Sequence, residues 1–155
     1  MDLLDCHEET WQGQLGRDPD RFWALGGIIG DVLEEFGGRL GEYEGMGHQT
    51  ITFSIRLNDG TPATLKFREY DYVGWEIPES EHVLQPLFGP FYRNDFIFDV
   101  FPYAERIGEI RLLQLEKLIV QIEAEGLPTL DMKPENVGWH DARWQVTDTE
   151  CVLAN

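Results

Sequence analysis

The sequence predicts an α+β fold, on three observations. An apolar stripe of helical spacing runs through residues 22–36, a period of two governs residues 51–67, and a second helical stripe over 110–122 leads into a hairpin pattern. The strands are expected to pair as hairpins, which makes the sheet antiparallel. A chain of 155 residues suits one compact domain, and its 42% hydrophobic content supplies enough apolar surface to offset the ordering entropy. Within it, residues 1–39 read as a helical extension, 40–103 as the β half and 104–155 as a minimal second half.

In the first helix, Asp18-Pro19-Asp20 offers a cap and a first-turn proline. Phe22, Leu25, Ile28, Ile29, Val32, Leu33 and Phe36 form the stripe, and Gly37-Gly38 ends it. Gly26, Gly27 and Gly30 weaken this helix or let another element approach closely. Ile51, Phe53, Ile55 and Leu57 then alternate with polar residues, Asn58-Asp59-Gly60 turns, and Ala63-Thr64-Leu65-Lys66-Phe67 returns. Pro78 and Pro86 bracket a short helix around Glu79-Ser80-Glu81-His82-Val83-Leu84. Phe91-Tyr92-Arg93, a turn at Asn94-Asp95, and the run from Phe96 to Phe101 make a further β pair. Ile110, Leu112, Leu113, Leu115, Leu118, Ile119 and Ile122 mark a strong helix that stops at Gly126. Val137-Gly138-Trp139 and Trp144-Gln145-Val146-Thr147 close the pattern as a hairpin, with Asp131 and Asp148 on either side.

The net charge of -17, from 29 acidic and 12 basic residues, repels phosphate backbones and anionic lipid. Direct nucleic-acid and membrane binding are therefore disfavoured, and a basic protein partner fits the sign. Cys6 and Cys151 make neither a disulfide framework nor a metal-ligand spacing, so reduced thiols are expected. Asp2, Asp5, Glu8 and Glu9 stand where a signal peptide needs a basic start. The expected location is the cytoplasm, or a target cell reached through a specialised secretion system. His7, His48, His82 and His140 are scattered without ligand spacing.

The most informative run is Asp131-Met132-Lys133-Pro134-Glu135-Asn136, followed across the hairpin by Asp148-Thr149-Glu150. Phosphoryl transfer needs a base or orienter for the acceptor hydroxyl, a cation against the developing charge, and oxygen ligands for Mg²⁺. Asp131, Lys133 and Asn136 supply those three chemistries from one loop, and Asp148 adds a second metal ligand. Upstream, Gly45-Met46-Gly47-His48-Gln49-Thr50 makes a degenerate glycine-rich turn, and Lys66 follows Thr50 by sixteen residues on the next strand. Each piece has a plainer reading: a proline-fixed turn, a hairpin glycine pair, an exposed strand lysine, a strand-end cap at Asp148, a solvated Glu81. Their common order and spacing favours the chemical reading.

Together these residues resemble the protein-kinase pattern H-R-D-L-K-P-E-N followed by D-F-G. Asp131 stands at the catalytic aspartate, and Asn136 and Asp148 at the metal ligands. Thr129-Leu130 replaces the His-Arg pair and Thr149-Glu150 the Phe-Gly, and the resulting D-x-E is similar to small-molecule kinases such as the aminoglycoside and choline phosphotransferases. The resemblance spans residues 40–150 and implies ATP and Mg²⁺. It further implies that Lys66 positions the α- and β-phosphates, that Glu81 pairs with Lys66 (Glu79 and Glu76 being the alternatives), and that turn amides at Gly45 and Gly47 cover phosphates. Phe98-Asp99-Val100-Phe101-Pro102-Tyr103 corresponds to the strand and hinge that hold adenine through the backbone, with Val100 and Phe101 at its centre.

The sequence stops seven residues after Asp148, so the expectation is a minimal kinase, similar in architecture to the abbreviated kinases that pathogenic bacteria secrete as effectors. The reaction implied is transfer of the ATP γ-phosphate to a Ser or Thr hydroxyl of a protein. A homodimer or an activating partner would complete the acceptor site, and the N-terminal helix would buttress the fold. Two alternatives accompany it: a non-catalytic kinase-like module that binds or inhibits through its acidic surface, and a small-molecule kinase.

Overall fold

The structure, a computed structural model, describes residues 19–46, 51–69, 76–93 and 96–153. The fold is α+β, with a five-stranded antiparallel sheet curled into a half-barrel, two helices and a β-hairpin. The chain clusters into two compact units, Met1–Tyr70 with Phe88–Val100, and Asp71–Leu87 with Phe101–Asn155.

The first unit opens with helix α1 (Pro19–Phe36). Ile28, Ile29, Val32 and Leu33 are buried and Phe36 is partly buried, as the stripe predicts. The Phe36 ring stacks between Phe88 and Phe91, 5.9 Å from each. Among the described residues nothing lies within 4 Å of a Cβ built on Gly27 or Gly30, and glycine at either position weakens the helix. Gly37 ends it in the left-handed conformation at φ 77°, its N–H donating to Leu33 O at 2.9 Å.

Strands β1 (Gly38–Met46), β2 (Ile51–Leu57), β3 (Pro62–Glu69), β4 (Phe88–Arg93) and β5 (Phe96–Pro102) follow, in the spatial order β1-β2-β3-β5-β4. The alternation in β2 and β3 is real. Phe53 pairs with Leu65 and Ile55 with Ala63, and all four side chains are buried on one face. Strand β4 begins three residues earlier than predicted. Its register slips between Phe88 and Phe91, and that irregularity accommodates Gly89-Pro90 inside a strand, where proline is tolerated at bulges. A Cβ on Gly89 would stand 2.9 Å from Phe98 O, so only glycine fits. The predicted turn at Asn94-Asp95 lies outside the described residues. Every residue of β5 from Phe96 to Phe101 is buried, which is why the run reads as apolar rather than alternating.

In the second unit the expected short helix at 79–84 is absent. Residues 81–82 only turn, and Val83 forms an isolated parallel bridge to Val146. Leu84 N donates to Val146 O at 2.9 Å and Val146 N to His82 O at 2.8 Å. The segment pairs with a hairpin edge instead of with itself, because Pro78 and Pro86 leave too short a stretch to nucleate a helix. Residues 71–87 thus join the second unit rather than the β half in which the sequence boundaries placed them.

Helix α2 (Leu112–Ala124) is present as the stripe predicts and buries Leu115, Leu118 and Ile122, while Leu112 and Leu113 of the stripe are exposed. Ile110 is buried but precedes the helix. Gly126, at φ 82°, ends the helix by donating to Glu123 O at 2.9 Å. A loop, a short 3-10 turn (Pro134–Asn136), strands β6 (Val137–His140) and β7 (Arg143–Val146) and a second 3-10 turn (Thr149–Val152) complete the unit. Among the described residues no helix is long and apolar enough to cross a membrane.

Candidate functional site

The loop between α2 and β6 is held from both ends. The Thr129 hydroxyl donates to Glu123 Oε1 on α2 at 2.8 Å, and Leu130 N donates to Cys151 O at 2.7 Å. Asp131, next in the chain, lies in the left-handed region at φ 49°. Aspartate tolerates that region better than most residues, yet it costs free energy and persists only where the surroundings impose it. Pro134 then starts the 3-10 turn, with Asn136 N donating to Lys133 O at 3.0 Å.

Across the hairpin, Thr147 N donates to Asn136 O at 2.8 Å, which fixes the start of the second turn beside the first. Asp148 caps that second turn through a bond from Glu150 N to Oδ1 at 3.1 Å, and Cys151 N donates to Asp148 O at 3.1 Å. The strand-end cap read for Asp148 is therefore present, and it leaves the second carboxylate oxygen for other partners.

Side chains close the arrangement. Asn136 Nδ2 donates to the Asp131 carbonyl at 3.0 Å and to Cys151 Sγ at 3.3 Å. Lys133 Nζ lies 3.2 Å from Asp131 Oδ1, both side chains being more than half exposed. Burial pushes the Cys151 thiol up to about 12; the charges of Asp148, Asp131 and Glu150 push the same way, against the bond from Asn136. These contacts join Asp131, Lys133 and Asn136, and the backbone of Asp148 bonds to the same Cys151 that Asn136 touches.

Whether this set suits Mg²⁺ follows from its donors. The amide nitrogen of Asn136 is engaged twice, so a metal could be offered only its carbonyl oxygen, and Asp148 could offer the carboxylate oxygen that does not cap the turn. Mg²⁺ prefers hard oxygens and is commonly held by one or two protein groups, with phosphate and water completing the shell. Among the described residues no group of three or more His, Cys, Asp or Glu side chains is placed to hold a metal ion by itself. The donors fit an ion shared with a phosphate.

The other predicted residues lie elsewhere. In the first unit, Thr52 pairs with Gly45 on one side and Lys66 on the other, so Gly45 and Lys66 stand on one line across β1, β2 and β3. Two strand spacings put their backbones about 10 Å apart. Gly47 lies outside the described residues. Val100 and Phe101 are both buried in β5, which lies between β3 and β4, and Val100 pairs with Phe88. Glu81 belongs to the second unit, where its Oε2 accepts from Arg143 at 3.0 Å and its Oε1 lies 3.5 Å from the His82 ring. Glu76 and Glu79 are exposed.

Sequence reasoning missed Cys151. It looked isolated because its partners are 15 and 20 residues away in the chain; its place three residues after Asp148, in the buried run Cys151-Val152-Leu153, was the available signal. No protein-family model matches the chain, and no curated protein matches it.

Proposed function

We propose that this chain is a minimal protein-kinase-like phosphotransferase that moves the γ-phosphate of ATP to a protein hydroxyl. The observation that carries the proposal is the bond from Asn136 Nδ2 to the Asp131 carbonyl, which ties a candidate metal ligand to a candidate base in one loop. Asp131 accepts or orients the acceptor proton while the acceptor oxygen bonds to the γ-phosphorus, the bridging oxygen departs and ADP is left. Lys133, beside Asp131, places positive charge where the transferred group gains negative charge. Bound Mg²⁺, held by Asn136 and Asp148, would neutralise phosphate charge. Lys66 positions the nucleotide, backbone groups at the end of β1 beside Gly45 cover its phosphates, and the end of β5 at Val100 and Phe101 holds adenine. The net charge of -17 favours an acceptor or activating partner with a basic surface.

Radiolabel transfer from ATP into lysate proteins tests this, wild type against Asp131→Asn. Asparagine also tolerates the left-handed backbone, so the variant keeps the loop's backbone while it removes the base and the exposed ion pair with Lys133. Labelling by the wild type and its loss in the variant are expected. A second reading, a non-catalytic kinase-like binding module, is favoured by the acidic surface alone; it prevails if both proteins bind ATP and neither labels anything. Label found only in small molecules would assign the acceptor to the class suggested by Asp148-Thr149-Glu150.

A further inference from the structure

We infer that Cys151 is a positioning residue of this site: its thiol bridges the Asp131 backbone and the Asn136 side chain and so fixes the base relative to the metal ligand. The inference rests on the phosphotransfer reading. Sγ accepts from Asn136 Nδ2 at 3.3 Å and faces the Asp131 carbonyl at 3.7 Å, within the reach of a weak S–H donor. The same residue's backbone holds both flanks, its carbonyl accepting from Leu130 N and its N–H donating to Asp148 O. Through its side chain, its N–H and its carbonyl, this one residue thereby touches Leu130, Asp131, Asn136 and Asp148.

A buried cysteine more often acts as a small hydrophobe. Here the neighbours of the sulfur distinguish the two roles. Cys151 is only 3% exposed, with Val152 at 0% beside it, yet its sulfur is turned toward an amide and a carbonyl. Asn136 Nδ2 spans the same two groups, so amide, carbonyl and thiol form a closed triangle. Removing the sulfur leaves the amide with one anchor instead of two and frees the Asn136 side chain to rotate, and with it the carbonyl oxygen that the proposed function assigns to the metal. Groups that orient a metal ligand from behind typically change metal affinity by about 10–100-fold when lost.

The test compares wild type with Cys151→Val, which keeps apolar bulk and removes the bridge, and with Cys151→Ala. Two quantities are read: the NMR positions and exchange rates of the Asn136 side-chain NH₂, and the Mg²⁺ concentration that half-saturates ATP binding. The expected result is an NH₂ pair that is shifted and slowly exchanging in the wild type and moves toward free-amide behaviour in Cys151→Val, with the backbone spectrum otherwise retained. The Mg²⁺ requirement rises roughly tenfold or more, while metal-free nucleotide affinity stays unchanged. A merely structural cysteine would shift stability without separating these two affinities. An Asn136 NH₂ that is already free in the wild type, or an unchanged Mg²⁺ requirement in a folded variant, overturns the inference. The wild-type NH₂ measurement decides the point even if neither variant folds. A wild type that binds no ATP while its NH₂ is bridged instead overturns the phosphotransfer reading, and the bridge then has no catalytic purpose.

Discussion

The side-chain amide of Asn136 is bonded to the backbone carbonyl of Asp131, five residues earlier, at 3.0 Å. This closes the loop on itself through a single side chain. Whatever places Asn136 therefore also places the left-handed Asp131, and the two candidate functions of base and metal ligand are mechanically coupled.

Asn136→Ala removes that closure. The Asp131 carbonyl loses a partner near the surface, which costs about 1 kcal/mol in denaturant unfolding. Metal-dependent ATP affinity should fall much further, because a ligand and the loop's clasp are lost together. Equal affinity in variant and wild type would remove Asn136 from the metal site.

Lys133→Ala should separate stability from chemistry. The Lys133–Asp131 pair is more than half exposed on both sides, and such pairs contribute less than about 1 kcal/mol. Unfolding should barely change, whereas transfer should drop roughly a hundredfold if Lys133 stabilises developing phosphate charge. A variant with unaltered turnover would assign the lysine to the surface.

The Cys151 thiol makes a pH prediction. Its folded value is pushed up to about 12 from an ordinary 9.0, first by burial and then by the charges of Asp148 and Asp131. Between those values the unfolded chain has lost the proton and the folded one keeps it, so stability must fall as pH rises. The contribution is complete below about 9 and is lost progressively toward 12. Cys151→Ser has no such group and should show a flatter decline over that window in equilibrium unfolding.

Asp141 and Ala142 occupy the turn of the β6–β7 hairpin at φ 54° and 60°. Two consecutive positive φ values suit a type I′ turn, whose second position strongly prefers glycine. Ala142→Gly relieves about 1–2 kcal/mol of strain and loses part of that to the freer unfolded chain. A net gain of about 0.5 kcal/mol is expected in chemical denaturation, and a net loss would mean the turn is held by something other than its backbone preference.

Local rules were legible where one neighbour decided the outcome. The β2–β3 hairpin, the stop at Gly37 and the end of α2 at Gly126 each follow from alternation or a glycine, and the structure has them as read. The segment around Glu81 failed because its hydrogen bonds go to Val146, far along the chain, and nothing in residues 76–87 announces that partner. Leu112 and Leu113 helped to mark α2 and yet are exposed, since apolar spacing announces a helix without fixing which of its apolar residues are buried. The grouping of Asp131, Lys133, Asn136 and Asp148 was legible because a loop and a hairpin must return the chain to its start. The thiol behind them was not, because a distant hydrogen bond to sulfur leaves no periodic trace.

Calorimetric titration with ATP, with Mg²⁺ present and with Mg²⁺ chelated, compares wild type with Asp148→Asn most directly. The phosphotransfer site predicts saturable binding by the wild type that weakens when Mg²⁺ is removed, and binding by Asp148→Asn that is at least about tenfold weaker and no longer responds to the metal. Absence of ATP binding by the wild type, or identical metal-dependent binding by both proteins, would contradict it.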